Sequence, residues 1–183
     1  MPSDQITPQQ LRLFAGLLAM PSEESLVAIE EIAQQNHWLY ESLPQLKSIS
    51  LEHWQTEHTK LFINGHPKTP CPPFESVYRH GIMSGQACSE IEQLYQSIGL
   101  EPVEDMPADY LGVMLECAAY LLEQKSSATD LQSNSGEIKK GANFQTLWQD
   151  HLAKWLPKFA SDLQQHSQLH LYQQLGRQLK ELF

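Results

Sequence analysis

No stretch of this chain approaches the run of about 20 apolar residues that a membrane span requires. Its first residues, Met1-Pro2-Ser3-Asp4-Gln5, hold no basic segment followed by an apolar core, so a secretion signal is not expected. Cysteine is scarce. Cys71, Cys88 and Cys117 are odd in number, widely spaced and without a CxxC pair, a pattern that fits reduced thiols in a cytoplasm better than disulfides or a zinc site. An HExxH pair is absent, and Gly81 and Gly85 lack the strand-to-helix context and Lys-Ser/Thr ending of a phosphate loop. No segment alternates with period two over strand length, and no internal repeat recurs. Basic residues are few as well: twelve against twenty-two acidic give a net charge of −10. Such a surface repels phosphate backbones and anionic lipid, which argues against nucleic acid or membrane as direct partners and favours cationic peptides.

What the chain has is helical periodicity. Thr7-Pro8 is an N-cap followed by proline at the first helical position, and Leu11, Phe14, Leu17 and Leu18 then form one stripe. Pro21-Ser22 breaks that helix and opens the next, carrying Leu26, Ile29, Ile32 and Ala33. Ser50 caps a helix whose face holds Leu51, Trp54, His58, Leu61 and Phe62. Ala87, Ile91, Leu94, Tyr95 and Ile98 make a further stripe closed by Gly99. Pro107 opens a helix with a broad apolar face (Leu111, Met114, Leu115, Ala118, Leu121, Leu122), the mark of an element buried on more than one side. Ser126 to Gly141 is expected to be a mobile surface loop. Phe144, Leu147, Trp148, His151, Leu152 and Trp155 resume the pattern, Pro157 ends or kinks it, and a last helix carries Phe159 to Leu182. The expected fold is all-α, about eight to ten helices in one compact domain or two subdomains. The division would set 1–100 against 108–183, with a hinge at 101–107.

One stretch stands apart, Pro70-Cys71-Pro72-Pro73-Phe74-Glu75-Ser76-Val77-Tyr78. Its prolines fix φ near about −65° and push the residues before them towards extended geometry, giving a stiff polyproline strap. A helix begins directly behind it, so Phe74, Glu75 and Tyr78 are held within about one turn at a rigid junction. Glu75 and Asp109 each follow a proline at a helix start. Each is either a carboxylate complementing a helix dipole or part of an acidic patch that takes guanidinium groups bidentately.

The remaining candidates carry less. His166 and His170 are four apart but lack a third ligand at diagnostic spacing, and His53 and His58 are poorly placed for pairing, so no metal site is expected. Cys71 is either a packed small hydrophobe or half of a Cys–His pair, with packing favoured. Trp38, Trp54, Trp148 and Trp155 fall mostly on apolar stripes and belong to the core. Catalytic residues and cofactors are not expected.

Glu57-His58-Thr59-Lys60-Leu61-Phe62 followed by Pro70 to Tyr78 resembles the E-x-x-x-L-F…P-x-P-P-[YFW]-E-S-V-Y signature of the TorD/DmsD family, the chaperones of redox-enzyme maturation. Pro107-Ala108-Asp109-Tyr110-Leu111 with Leu115 is similar to a second family block, P-x-D-H-[LI]-x-x-x-L. His151-Leu152, Trp155 and Pro157-x-Phe159 resemble a third. The resemblance implies a non-enzymatic, cytoplasmic, all-helical chaperone. Its partner would be the precursor of a molybdopterin oxidoreductase subunit, bound through a twin-arginine leader and held while the molybdenum cofactor is inserted. Phe74, Glu75, Tyr78, Asp109 and Tyr110 would border the peptide-binding surface, the carboxylates receiving arginine and the rings offering flat apolar contact. For Val77 packing is the expected role. The chain departs from the family at Tyr110, where histidine is common; tyrosine keeps a hydrogen-bonding tip but takes no proton near neutral pH. The family implies a monomer or a domain-swapped homodimer. The competing class is a helical nucleotide-binding regulator or GTP hydrolase.

Overall fold

The computed structural model describes residues 6–101, 105–130 and 143–183. Among them the chain is all-α and no strand occurs; one isolated antiparallel bridge joins Phe74 to Tyr110. The helices form two compact units, each built from two separate stretches: Met1–Leu18 with Pro73–Trp155, and Ala19–Pro72 with Leu156–Phe183. The units are thus interleaved along the chain, and neither corresponds to 1–100 or 108–183. Of the hinge proposed at 101–107, residues 102–104 lie outside the described residues, as do Met1 to Gln5.

The first unit contains α1 (Pro8–Leu17), α5 (Glu75–His80), α6 (Gln86–Ser97), α7 (Leu111–Asp130), a single turn α8 (Phe144–Thr146) and a π-helical segment over Leu147–Leu152. The Thr7 hydroxyl accepts from the Gln10 N–H at 3.2 Å, with Pro8 following, as the capping pattern predicts. α1 packs along α7, and Arg12 spans both Glu116 and Glu123, the latter through two parallel bonds of 2.5 and 2.9 Å. These groups are exposed, so the pairs fix the register of the two helices more than they stabilise them. α7 is the central element: Leu111, Met114, Leu115, Ala118 and Ala119 are wholly buried, and Cys117, Leu121 and Leu122 nearly so. α6 closes as expected, with Gly99 at φ 77° and the Leu100 N–H reaching back to the Tyr95 carbonyl at 2.9 Å.

Two expectations need correction here. α7 continues through Asp130 rather than yielding to a loop at Ser126; Ser126 to Asp130 contains neither proline nor glycine, and low apolar content alone does not stop a helix. Residues 131–141 of the expected loop lie outside the described residues. Pro157, expected to end or kink its helix, does not end it. It lies inside α9 (Ala153–His166), shortly after the π-helical segment. Widened turns of that kind are among the recognised ways a helix absorbs a local mismatch.

The second unit holds α2 (Ser25–Ala33), α3 (Leu43–Ser48), α4 (Leu51–Phe62), most of α9 and α10 (His170–Lys180). Ser50 caps α4 by accepting from His53 N–H at 3.1 Å. The α2 stripe is narrower than expected, since Ile29 and Ala33 are buried while Ile32 is exposed. α4 presents Trp54, His58, Leu61 and Phe62 inward, and the Trp54 indole N–H donates to the Tyr172 hydroxyl at 3.1 Å. Phe62 meets Tyr172 edge-on, with ring centroids 5.2 Å apart. Glu57, the acid of the E-x-x-x-L-F block, is buried and accepts from the Gln168 N–H at 2.7 Å, so it pins the turn between α9 and α10. That same turn places His166 and His170 on different helices.

Cys71 is wholly buried, and its N–H donates to the Leu61 carbonyl at 2.9 Å, tying the strap to the end of α4. Burial, reinforced by the charge of Asp162, pushes its thiol up to about 12, and burial does the same for Cys117. A thiol held protonated in this way is not a nucleophile at neutral pH. At pH 8 the folded protein is expected to resist iodoacetamide at these two positions over hours, whereas all three cysteines react after unfolding; rapid native labelling of Cys71 would contradict the packing. Unfolded thiols ionise near 9.0 while these stay protonated, so stability is full below about pH 9 and declines as pH rises towards about 12.

Candidate peptide-binding site

The strap delivers the chain to α5 in extended conformation. Phe74 sits at φ −132° and ψ 130°, and Tyr110, preceding α7, lies antiparallel to it. Two backbone bonds frame the pair: the Leu111 N–H donates to the Pro73 carbonyl at 2.8 Å, and the Glu75 N–H donates to the Asp109 carbonyl at 3.2 Å. Proline suits the first position because it needs only to accept there. The first and second sequence blocks are therefore locked to one another through main chain, at positions more than thirty residues apart.

This clamp explains the two carboxylates. Phe74 offers α5 no side-chain cap. The missing acceptor comes from Asp109, whose Oδ2 takes the Ser76 N–H at 2.8 Å. Asp109 thus caps a neighbouring helix across the bridge. It is not in the first turn of its own helix as expected, because Tyr110 is taken up by the bridge to Phe74 and α7 starts only at Leu111. Its other oxygen, Oδ1, is buried. Cys88 lies beside this carboxylate. Burial raises the Cys88 thiol most, the N–H groups of Asp109 and Ala108 lower it, and the Asp109 charge raises it again.

Glu75 is wholly buried at the start of α5. The His151 Nδ1 lies 3.1 Å from both carboxylate oxygens, and the Arg79 Nη1 donates to Oε1 at 2.5 Å. Arg79 is one turn further along the same helix, whereas His151 comes from the π-helical segment. The side chains of the triad are 0%, 8% and 28% exposed for Glu75, His151 and Arg79, so the guanidinium is its solvent-facing end.

The three rings are half-buried. Phe74 and Tyr110 lie with centroids 5.7 Å apart, and Tyr78 lies against Trp155 at 5.3 Å. The Tyr110 hydroxyl donates to the Leu18 carbonyl at 3.3 Å, and burial raises its phenol above the ordinary value. Its ring occupies the space over Gly112, where a Cβ would stand 2.6 Å from Tyr110 Cε1. α5 then ends at Gly81 (φ 75°), and the following turn exposes Ile82 (63%) and Met83 (56%). The Ser84 N–H returns to the Ser76 hydroxyl at 3.1 Å, holding that turn against the start of α5. Gly81 and Gly85 flank the turn; neither belongs to a phosphate loop.

The five residues singled out from sequence are thus neighbours, and a main-chain hydrogen bond joins Glu75 to Asp109. As an open acidic patch, however, they need correction: both carboxylates are 0% exposed and already engaged by groups of this chain. Sequence reasoning missed Arg79, His151 and Ser76. His151 carried a usable signal, as a polar residue in a stripe otherwise made of Phe144, Leu147, Trp148, Leu152 and Trp155, which demands a buried partner. Among the described residues no group of three His, Cys, Asp or Glu side chains could hold a metal, and no helix is long and apolar enough to cross a membrane.

Comparison with known proteins agrees with the three blocks. Residues 22–161 match the sequence pattern of the family described as nitrate reductase delta subunit. A protein of Haemophilus influenzae named as a Tat proofreading chaperone, DmsD, is 26% identical over 141 residues, covering 66% of this chain and 70% of that protein. A crystal structure from Archaeoglobus fulgidus, assigned as a redox enzyme maturation protein, superposes with a TM-score of 0.65 at 26% identity, covering 96% of this chain and 93% of the other. With a match running through all three blocks and most of its length, the chain belongs to the nitrate reductase delta subunit family, the group that includes the TorD/DmsD chaperones of redox-enzyme maturation.

Proposed function

We propose that this protein is a cytoplasmic chaperone for the precursor of a molybdopterin oxidoreductase subunit. It would bind that precursor through a twin-arginine leader and hold it until the molybdenum cofactor is inserted. The observation that carries the reading is the rigid surface at the clamp: Phe74, Tyr78 and Tyr110 are half-buried on a locked backbone, next to exposed Ile82 and Met83. Apolar side chains set beside a guanidinium-carboxylate pair suit a peptide that joins apolar residues to arginine. The net charge of −10 adds long-range attraction for such a cationic segment. Binding of this kind needs no reaction chemistry of its own.

In this reading Asp109 shapes the surface by capping α5 and does not itself meet the peptide. The rings do. Phe74→Ala with Tyr110→Ala is expected to weaken a fluorescent leader peptide by about tenfold or more, the loss of two aromatic contacts. Circular dichroism would check that the helices persist. Unchanged affinity in a folded double variant would place the peptide elsewhere.

A further inference from the structure

Resting on that reading of the clamp as the peptide site, we propose that Arg79 is an internal placeholder for a leader arginine: the incoming guanidinium takes Glu75 by displacing Arg79 into solvent. Glu75 is a carboxylate with no exposed surface, and of its two side-chain partners only Arg79 faces water. Arg79 is also a partner that can leave. It is attached four residues along on a six-residue helix, so side-chain rotation alone carries it outward. It engages Oε1 through Nη1 and does not set its fork across both oxygens, because His151 holds the far side. Tyr78 precedes Arg79 on α5, and the exposed Ile82 and Met83 follow directly after the helix ends at Gly81, so apolar side chains are close in the chain for a displacing residue to bury against.

The exchange conserves the number of ion pairs. A guanidinium leaves the carboxylate as another arrives, so the arginine adds little net affinity and the apolar part of the peptide drives binding. Selectivity still follows. A peptide with glutamine in place of arginine leaves Arg79 on Glu75 and finds no carboxylate for its own side chain. Lysine brings a compact, strongly hydrated ammonium that replaces the planar group poorly. The site therefore screens for arginine without holding an empty buried charge when no peptide is bound.

The test is calorimetric titration of the unmutated protein and Arg79→Ala with a twin-arginine leader peptide and with the same peptide carrying glutamine at both arginines. Removing the competitor is expected to tighten the arginine peptide by about tenfold, the effect of one charge-assisted pair, and to leave the glutamine peptide unchanged. If the unmutated protein binds neither peptide, the peptide-site reading fails and the placeholder with it. If it binds the arginine peptide but Arg79→Ala is no tighter, or tightens both peptides alike, the placeholder alone is overturned. Should Arg79→Ala not fold, the Arg79 side-chain N–H resonance of the unmutated protein decides. It is expected to move to the position of a free guanidinium when peptide is added; a resonance that stays in its ion-paired position in the complex overturns the exchange.

Discussion

His151→Ala is expected to cost about 3 to 5 kcal/mol of unfolding free energy, more than Glu75→Ala at about 1 to 2 kcal/mol. The order follows from where each group goes when its partner is lost. Without the imidazole, the Glu75 carboxylate stays fully buried with Arg79 on one oxygen only, and a ring-sized space opens beside it. Without the carboxylate, Arg79 turns to water from its partly exposed position and loses little. For a chain of this length the larger loss corresponds to a melting temperature lower by about 6 to 20 °C. Urea titration of the single variants and of Glu75→Ala with His151→Ala would show the coupling. The double variant is expected to cost less than the sum of the singles by about 1 kcal/mol or more. Equal single costs, or a cheaper His151→Ala, would contradict the assignment of His151 as the inner support of the site.

Two glycine-to-alanine substitutions in helices are expected to have opposite signs. In α10, a Cβ on Gly176 would stand 2.6 Å from the Ala160 carbonyl oxygen of α9, 3.0 Å from Gln164 Cγ and 3.1 Å from Leu163 Cβ. The nearest of these is backbone and cannot rotate away, so the two helices must separate beside Leu163, which is wholly buried, as are Leu175 and Leu179 on α10. Overpacking of this type costs about 1 to 3 kcal/mol, which outweighs the gain of about 1 kcal/mol that alanine brings to a helix interior. Gly16 in α1 is the control: it is exposed and nothing lies within 4 Å of its Cβ position, so Gly16→Ala is expected to stabilise by about 0.5 to 1 kcal/mol. Thermal melts of the two variants read the difference directly. A stabilised Gly176→Ala would mean that α9 and α10 are not in backbone contact.

The helical fold was legible because its signals are local. Thr7 and Ser50 cap the helices they were expected to cap, Gly99 closes α6, and the apolar face of α7 is buried on the breadth its pattern implied. The neighbourhood of Phe74, Glu75, Tyr78, Asp109 and Tyr110 was legible as a set, since the motif blocks point to it. The use made of the carboxylates was not. A first-turn acid looks the same in sequence whether it complements its own helix, caps another or waits for a ligand; Asp109 caps α5 only because Tyr110 is taken up by the bridge to Phe74. Glu75 is likewise understood only once His151, 76 residues away, is brought to it. Such pairings depend on long-range packing, for which a single sequence offers one hint at most: a polar residue standing in an apolar stripe.

Recognition of a redox-enzyme precursor through its leader is the function proposed for this chain. Its most direct test is size-exclusion chromatography, with light scattering, of the purified protein mixed with a molybdoenzyme precursor from the same cell and with that precursor lacking its leader. The expected result is a stable complex with the full precursor and none, or one far weaker, with the leaderless form. Equal complex formation with both, or with neither, would contradict the account.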